Sequence, residues 1–161
     1  MDANAYRVLG IDPGLNITGY GVVDLGGKPV IVEAGTIRTD AKADMPKRIA
    51  QIYAELTEIL AELKPDLVAI EKRYAHYNHP RTSILMGHAR GVILLAAQQA
   101  GVAIRNIPAT KVKKSLTGNG HATKMQMQRA IQSICNLPAL PEPPDVADAL
   151  AIALCGGKGV T

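Results

Sequence analysis

The sequence predicts an α/β fold, a mixed five-stranded sheet with helices on both faces, and three observations carry that prediction. The N-terminal quarter reads as three consecutive strands joined by tight-turn residues. A long amphipathic run follows and leads into a short, wholly apolar segment. Beyond it, helical and extended patterns alternate to the end of the chain.

Tyr6 to Ile11 alternates weakly and runs into Asp12-Pro13-Gly14, residue types that favour a turn, so Asp12 falls at a strand end. Thr18 to Leu25 and Pro29 to Arg38 read as two further strands joined through Gly26-Gly27, a short-hairpin signal. From Pro46 to Leu63 the apolar residues Ile49, Ile52, Tyr53, Leu56, Ile59, Leu60 and Leu63 recur at helical spacing, and Lys64-Pro65 ends the run. Leu67 to Ile70 then suits a buried parallel strand reached by a helical crossover, with Glu71 at its carboxyl end.

After a polar loop from Lys72 to Arg81, Ser83 to Gln99 has helical periodicity with Gly101 as its stop, and Val102 to Ile107 reads as the fifth strand. Two helices are expected past Pro108, over Ala109 to Leu116 and Thr123 to Cys135, separated by Gly118-Asn119-Gly120. The proline-rich stretch from Pro138 to Pro144 introduces a last helix, Asp145 to Leu154, stopped by Gly156-Gly157.

A length of 161 residues fits one domain, residues 1–161, and 47% hydrophobic against 20% charged residues is far from the composition of a disordered chain. No basic stretch followed by an apolar run opens the sequence, and Val92 to Ala97 is too short to span a bilayer, so the expected compartment is the cytoplasm. Cys135 and Cys155 stand far apart in apolar surroundings and read as buried thiols rather than a disulfide or a zinc site.

The net charge of +4 conceals a segregation. Between Glu71 and Glu142 there is no Asp or Glu, while that interval holds ten Lys and Arg residues from Lys72 to Arg129. The remainder of the chain is net acidic. A concentrated basic surface suits a polyanion, because each neutralised phosphate releases condensed counterions, and Arg73, Arg81, Lys113, Lys114 and Lys124 are the candidate nucleic-acid contacts.

Ligands of such sheets gather at the carboxyl ends of the strands, where Asp12 and Glu71 are placed. Asp145 and Asp148, spaced i and i+3, share a face of the last helix, and Ala149, Leu150, Ala153 and Leu154 supply an apolar face to dock it. If that helix docks with its N-terminus at the strand ends, four carboxylates meet and repel one another without cations. An all-oxygen acidic set selects Mg²⁺, with Mn²⁺ able to substitute. Two such ions about 3.5–4 Å apart can activate a water and stabilise the leaving oxygen in phosphodiester hydrolysis. Each acid also has a plainer reading: Asp145 after Pro144 suits a helix cap, and Asp12 alone suits a turn.

Five segments taken in order carry a family resemblance. They are Ile11-Asp12-Pro13-Gly14 with Thr18-Gly19-Tyr20-Gly21, Ile70-Glu71 with Tyr74, Gly87-His88-Ala89-Arg90-Gly91-Val92, Gly118-Asn119-Gly120 leading to Ala122-Thr123-Lys124, and Asp145-Val146-Ala147-Asp148-Ala149-Leu150-Ala151. From Tyr6 to about Cys155 the chain resembles the RuvC-type Holliday junction resolvases. The resemblance implies a ribonuclease H-like fold, a homodimer, and paired symmetric nicks that resolve four-way DNA junctions, in company with the branch-migration helicase of the same pathway. It makes Asp12, Glu71, Asp145 and Asp148 the catalytic, metal-binding set and puts Lys113 and Lys124 near the scissile strand. An aromatic wedge after Glu71 is usually Phe in that family. This chain has no Phe, and Tyr74 fills the matching place with Tyr77 as the alternative. His76, His79 and His88 read as loop or helix-surface histidines, and His121 is a possible phosphate contact.

For the expected dimer, Ile84, Leu85, Val92, Ile93 and Leu95 on the helix from Ser83 to Gln99 offer apolar surface beyond what the sheet should consume. Two other classes compete. Asp12-x-Gly14 with Thr18-Gly19-Tyr20-Gly21 is also similar to the first phosphate loop of actin-like ATPases, but those need a second related domain, and no second such loop occurs. A DNA-binding module without catalysis is disfavoured by the intact set of acids.

Overall fold

A computed structural model of the protein describes residues 5–72 and 79–159. Strands β1 (Tyr6–Asp12), β2 (Ile17–Leu25) and β3 (Val30–Arg38) are followed by helix α1 (Met45–Leu63), strand β4 (Leu67–Lys72), helix α2 (Pro80–Gln99) and strand β5 (Ala103–Pro108). Helices α3 (Ala109–Thr117), α4 (Lys124–Cys135) and α5 (Pro144–Gly156) complete the chain. The sheet runs in the order β3-β2-β1-β4-β5. The first three strands pair antiparallel, whereas β1 with β4 and β4 with β5 are parallel. This is the mixed five-stranded sheet expected from the sequence.

Alternation along the strands divides the core in two. Val8 and Val23 with Leu67, Ala69 and Ile107 face α3, α4 and α5. Leu9, Ile11, Val22, Val68 and Ile70 face the stripe of Ile52, Leu56 and Leu60 on α1, and Ala89, Ile93 and Ala97 on α2. Because β1 and β4 are covered on both sides, their residues read as continuous apolar runs.

Three details depart from the sequence reading. The ladders carry β1 through Asp12 and β4 through Lys72, so both acids stand at strand ends as expected, but Lys72 belongs to its strand rather than to the loop after it. Helix α2 begins at Pro80, ahead of Ser83, because a proline at the first helical position has no N–H to lose there. Ile93 is fully buried against the sheet and cannot belong to an outer surface. Ile84 and Leu95, 63% and 48% exposed, do face outward.

Helix α5 approaches the sheet more closely than ordinary side chains permit, and glycine is the reason. A β-carbon placed on Gly10 would lie 2.1 Å from the Ala149 carbonyl oxygen and 2.5 Å from the Ala153 nitrogen. On Gly21 it would lie 2.7 Å from Leu150 Cδ2, and on Gly156 of the helix 2.5 Å from the Ala69 β-carbon. Gly10 and Gly21 face each other across β1 and β2, which makes a shallow trough in the sheet. The helix that fills it is nearly all small or branched aliphatic residues, buried from Val146 to Gly156 except for Asp148. With Gly157 against Val8 and Asp145 against Gly19, α5 runs opposite to β1 and brings its N-terminus to the carboxyl end of that strand.

The close approach makes Gly10→Ala strongly destabilising, since the clashing atoms are backbone and cannot rotate away. Overpacking of about 1–3 kcal/mol or more corresponds to a melting temperature lower by roughly 2–12 °C in a chain of this size. Gly27→Ala, where nothing lies within 4 Å, should melt like the parent. Equal melting of the two variants by calorimetry would contradict this account of the α5 contact.

Candidate active site

The alternation that sorts the core also aims the acids. Asp12 follows Val8 and Gly10 on the α5 side of β1, and Glu71 follows Leu67 and Ala69 on the α5 side of β4. Ile11 and Ile70 are partners in the parallel register, so the next residue of each strand, Asp12 and Glu71, lie side by side. Asp12 is 4% exposed. Its partner on β2 is Gly19, where a β-carbon would lie 2.1 Å from the Asp145 carbonyl oxygen, so the first turn of α5 sits directly over the end of β1.

Asp145 is not the cap of that helix. Pro143 holds the cap position, Pro144 begins the helix, and no side chain caps it. Asp145 lies within the first turn, where the helix dipole favours a negative charge. Asp148 is one turn further on the same face. Although water reaches it, its carboxyl is pushed from the ordinary 3.8 up to about 6. Partial burial is the largest cause, and the charges of Asp12, Glu71 and Asp145 push the same way, while Lys124 opposes them. Each of the three other candidate acids is therefore close enough to act on Asp148.

Lys124 is the cation whose charge acts on Asp148. Thr123 and Gln126 form a reciprocal capping box, with Gln126 N–H donating to Thr123 Oγ1 at 3.2 Å and Thr123 N–H to Gln126 Oε1 at 2.9 Å, which fixes Lys124 as the first residue of α4. Lys113, half-buried, and Lys114, exposed, lie on α3, which starts directly after the carboxyl end of β5 and packs on α5. Arg81 is exposed in the first turn of α2. Arg73, Tyr74, His76 and Tyr77 lie outside the described residues.

The loop after Asp12 is locked from beneath. The Thr18 hydroxyl, almost wholly buried, donates to the Gly14 carbonyl at 2.6 Å and accepts from the Gly14 N–H at 3.3 Å. Buried Arg48 of α1 donates from Nε to Thr39 Oγ1 at 3.0 Å and from Nη2 to Asn16 Oδ1. Thr39 donates in turn to the Leu15 carbonyl. Another arginine, Arg90, supports the end of β4 through the Glu71 carbonyl. Sequence reasoning assigned neither arginine this role. A basic residue inside an apolar helical stripe, as Arg48 is, was the available signal.

Among the described residues, no three His, Cys, Asp or Glu side chains converge tightly enough to enclose a metal ion unaided. The donor set nevertheless fits a hard divalent cation. It consists of carboxylates, it is open on one side, and its members repel one another. Mg²⁺ characteristically keeps several waters and completes its shell with substrate phosphate oxygens rather than with an all-protein cage.

Comparison with known proteins agrees over nearly the whole chain. The family model described as crossover junction endodeoxyribonuclease RuvC matches residues 8–156. The RuvC of Rhodopirellula baltica is 51% identical over 154 residues, 95% of this chain and 86% of that protein. The solved structure of Thermus thermophilus RuvC superimposes with a TM-score of 0.86 at 34% identity over 92% of both chains. The same protein in complex with a Holliday junction substrate superimposes with a TM-score of 0.88 over 93% of this chain and 92% of that one. The fold is ribonuclease H-like, as these structures are.

The raised Asp148 carboxyl sets a dependence of stability on pH. Between about 4 and 6 the folded state keeps a proton that the unfolded chain has released. The contribution of the protonated group is whole below 3.8 and is lost as pH rises through about 6. In chelator, Asp148→Asn should therefore melt above the parent at pH 8, by about 2–4 °C for each kcal/mol of repulsion relieved, and the gap should close by pH 4. A gap that is the same at both pH values would contradict the clustering of the four acids.

Proposed function

This chain belongs to the RuvC family of crossover junction endodeoxyribonucleases, and on that premise we propose that Asp12, Glu71, Asp145 and Asp148 are its catalytic, metal-binding set. The chain is an endonuclease of junction DNA in recombination and repair, which decides against the ATPase reading. Its substrate is the four-way junction. One observation above all supports the assignment of the site: the charges of Asp12, Glu71 and Asp145 all raise the carboxyl of Asp148. A cluster that destabilises itself in this way gains from divalent cations, and Mg²⁺ or Mn²⁺ suits it.

Hydrolysis here forms one bond from a water oxygen to phosphorus and breaks the bond from phosphorus to the leaving strand's oxygen. The proton lost by the water is balanced by one gained at that oxygen. When bound, two divalent cations supply Lewis acidity at the attacking and leaving oxygens. Asp12 and Glu71 hold their side of the site on strands, and Asp145 and Asp148 hold the other side on a helix, so the donor atoms are fixed by rigid elements. Lys124 and Lys113, with Lys114, Arg73 and Arg81 further out, balance phosphate charge as the strand enters. Tyr74 supplies the aromatic face that holds the crossover open by stacking on a base, worth about 1–3 kcal/mol.

Paired nicks need two sites related by a two-fold axis. Ile84, Gly87, His88, Gly91 and Leu95 form an exposed stripe on α2. Nothing lies within 4 Å of where Gly87 or Gly91 would carry a β-carbon, so a second copy of the helix can approach closely there. A homodimer through this stripe, served by the branch-migration helicase of its pathway, is the proposed assembly. No helix among the described residues is long and apolar enough to cross a membrane, which accords with work on DNA in the cytoplasm.

With a labelled four-way junction, the parent should nick two opposed strands in Mg²⁺ and none in chelator. Asp12→Asn and Asp145→Asn should abolish nicking while binding the junction as tightly or more tightly, because the phosphates then approach less negative charge. Full nicking by either variant would remove that acid from the site.

A further inference from the structure

The end of β4 is held by a side chain outside the set of acids. Arg90, midway along α2, donates from Nη1 to the Glu71 backbone carbonyl at 2.7 Å and from Nη2 to Oδ1 of Asn106 on β5. In the parallel register Asn106 faces Ile70, and Ile70 points to the α1 and α2 layer. Arg90 therefore reaches the strand ends from the face opposite to the one on which the Glu71 side chain stands.

Among the described residues, both of its acceptors are neutral oxygens. Burial pushes the guanidinium down, and the Glu71 charge draws it back up. A half-buried cation bonded to neutral groups adds little to the stability of a fold, and an apolar side chain of similar volume often serves the fold as well or better. The ladder also needs support at this point. Glu71 pairs with Ile107 and Lys72 with Pro108, so Glu71 lies one residue from the end of the ladder, beside a proline that has no N–H to offer. Strand ends fray, whereas a metal-binding carboxylate must be held to within about 0.5 Å. The planar fork of an arginine can bond two strands at once.

We infer that Arg90 is a positioning residue, which ties the ends of β4 and β5 to α2 and so aims the Glu71 carboxylate into the site. The inference rests on the reading of Glu71 as a metal ligand. Since α2 also carries the exposed stripe proposed for the second copy, the same arginine links that surface to the site.

The test compares Arg90→Met, Arg90→Lys, Asn106→Ala and, as a control on the reading of Glu71 itself, Glu71→Gln. Four quantities are measured: the melting temperature, Mn²⁺ affinity by electron paramagnetic resonance, junction binding in chelator across a salt series, and the Mg²⁺ concentration that half-saturates single-turnover nicking. Arg90→Met should melt like the parent or higher and bind the junction with the same salt slope, because it touches no phosphate. Its Mn²⁺ affinity should fall by roughly 10- to 100-fold, with a matching rise in the Mg²⁺ requirement. Asn106→Ala should move both metal readouts the same way by less, and Arg90→Lys should recover part of the loss. Parental metal affinity in Arg90→Met and Asn106→Ala would overturn the inference. So would a fall in melting temperature and junction binding without a change in Mg²⁺ dependence. Parental Mn²⁺ affinity in Glu71→Gln would instead overturn the assignment of Glu71 and leave the two failures distinguishable.

Discussion

The close seat of α5 in the glycine trough of β1 and β2 is the constraint on which everything else depends. Gly10, Gly19 and Gly21 remove side chains where the helix backbone must come down, and Ala149, Ala153 and Gly156 remove them from the helix. A helix held further off by ordinary side chains would leave Asp145 and Asp148 away from Asp12 and Glu71. Interiors are packed to crystal density and do not deform continuously, so the geometry of the site is a property of the core rather than of its loops. The same helix supplies much of the hydrophobic core on its face, so folding and the assembly of the site are one event.

That arrangement carries an electrostatic cost which the rest of the chain distributes. Three acids act on a fourth that water still reaches. Lys124, set by its capping box, offsets part of the charge from above, while Arg90 beneath β4 feels the charge of Glu71. Acidic residues are absent between Glu71 and Glu142, so α2, α3 and α4 carry basic charge and no acid, and Lys124 of α4 acts on the acidic cluster. On the proposed reading, that basic charge attracts a DNA strand to a centre whose acids would repel it unaided, and divalent cations would offset the acids.

The order and type of all ten elements were legible in the sequence because periodicity and turn residues are local. Asp12 and Glu71 stood out for the same reason, as charges at the ends of apolar runs, and Asp145 and Asp148 by their helical spacing. What was not legible depends on partners distant in sequence. Nothing marks Gly10, Gly19 and Gly21 as the bed of a particular helix until the antiparallel register places them together. Ile93 looked available because α2 is apolar on several sides, and periodicity does not say which side meets the sheet. The plainer reading of Asp145 as a cap, natural for an acid after proline, fails because Pro143 occupies that position. Thr123 read as part of α4, although Thr followed three residues later by Gln is the signature of a capping box. Arg90 stood in one of the five segments, but its role was not legible because its acceptor at Glu71 is a backbone carbonyl, which every residue has.

The central claim is that α5 and the ends of β1 and β4 together make one site for divalent cations. Anomalous diffraction from crystals of the full chain with Mn²⁺ and four-way junction DNA tests it most directly. The account predicts Mn²⁺ peaks ligated by carboxylate oxygens of both layers, Asp12 and Glu71 on the strands and Asp145 or Asp148 on the helix, adjacent to a backbone phosphate. Peaks confined to the histidines, or none beside Asp12 at saturating Mn²⁺, would contradict it.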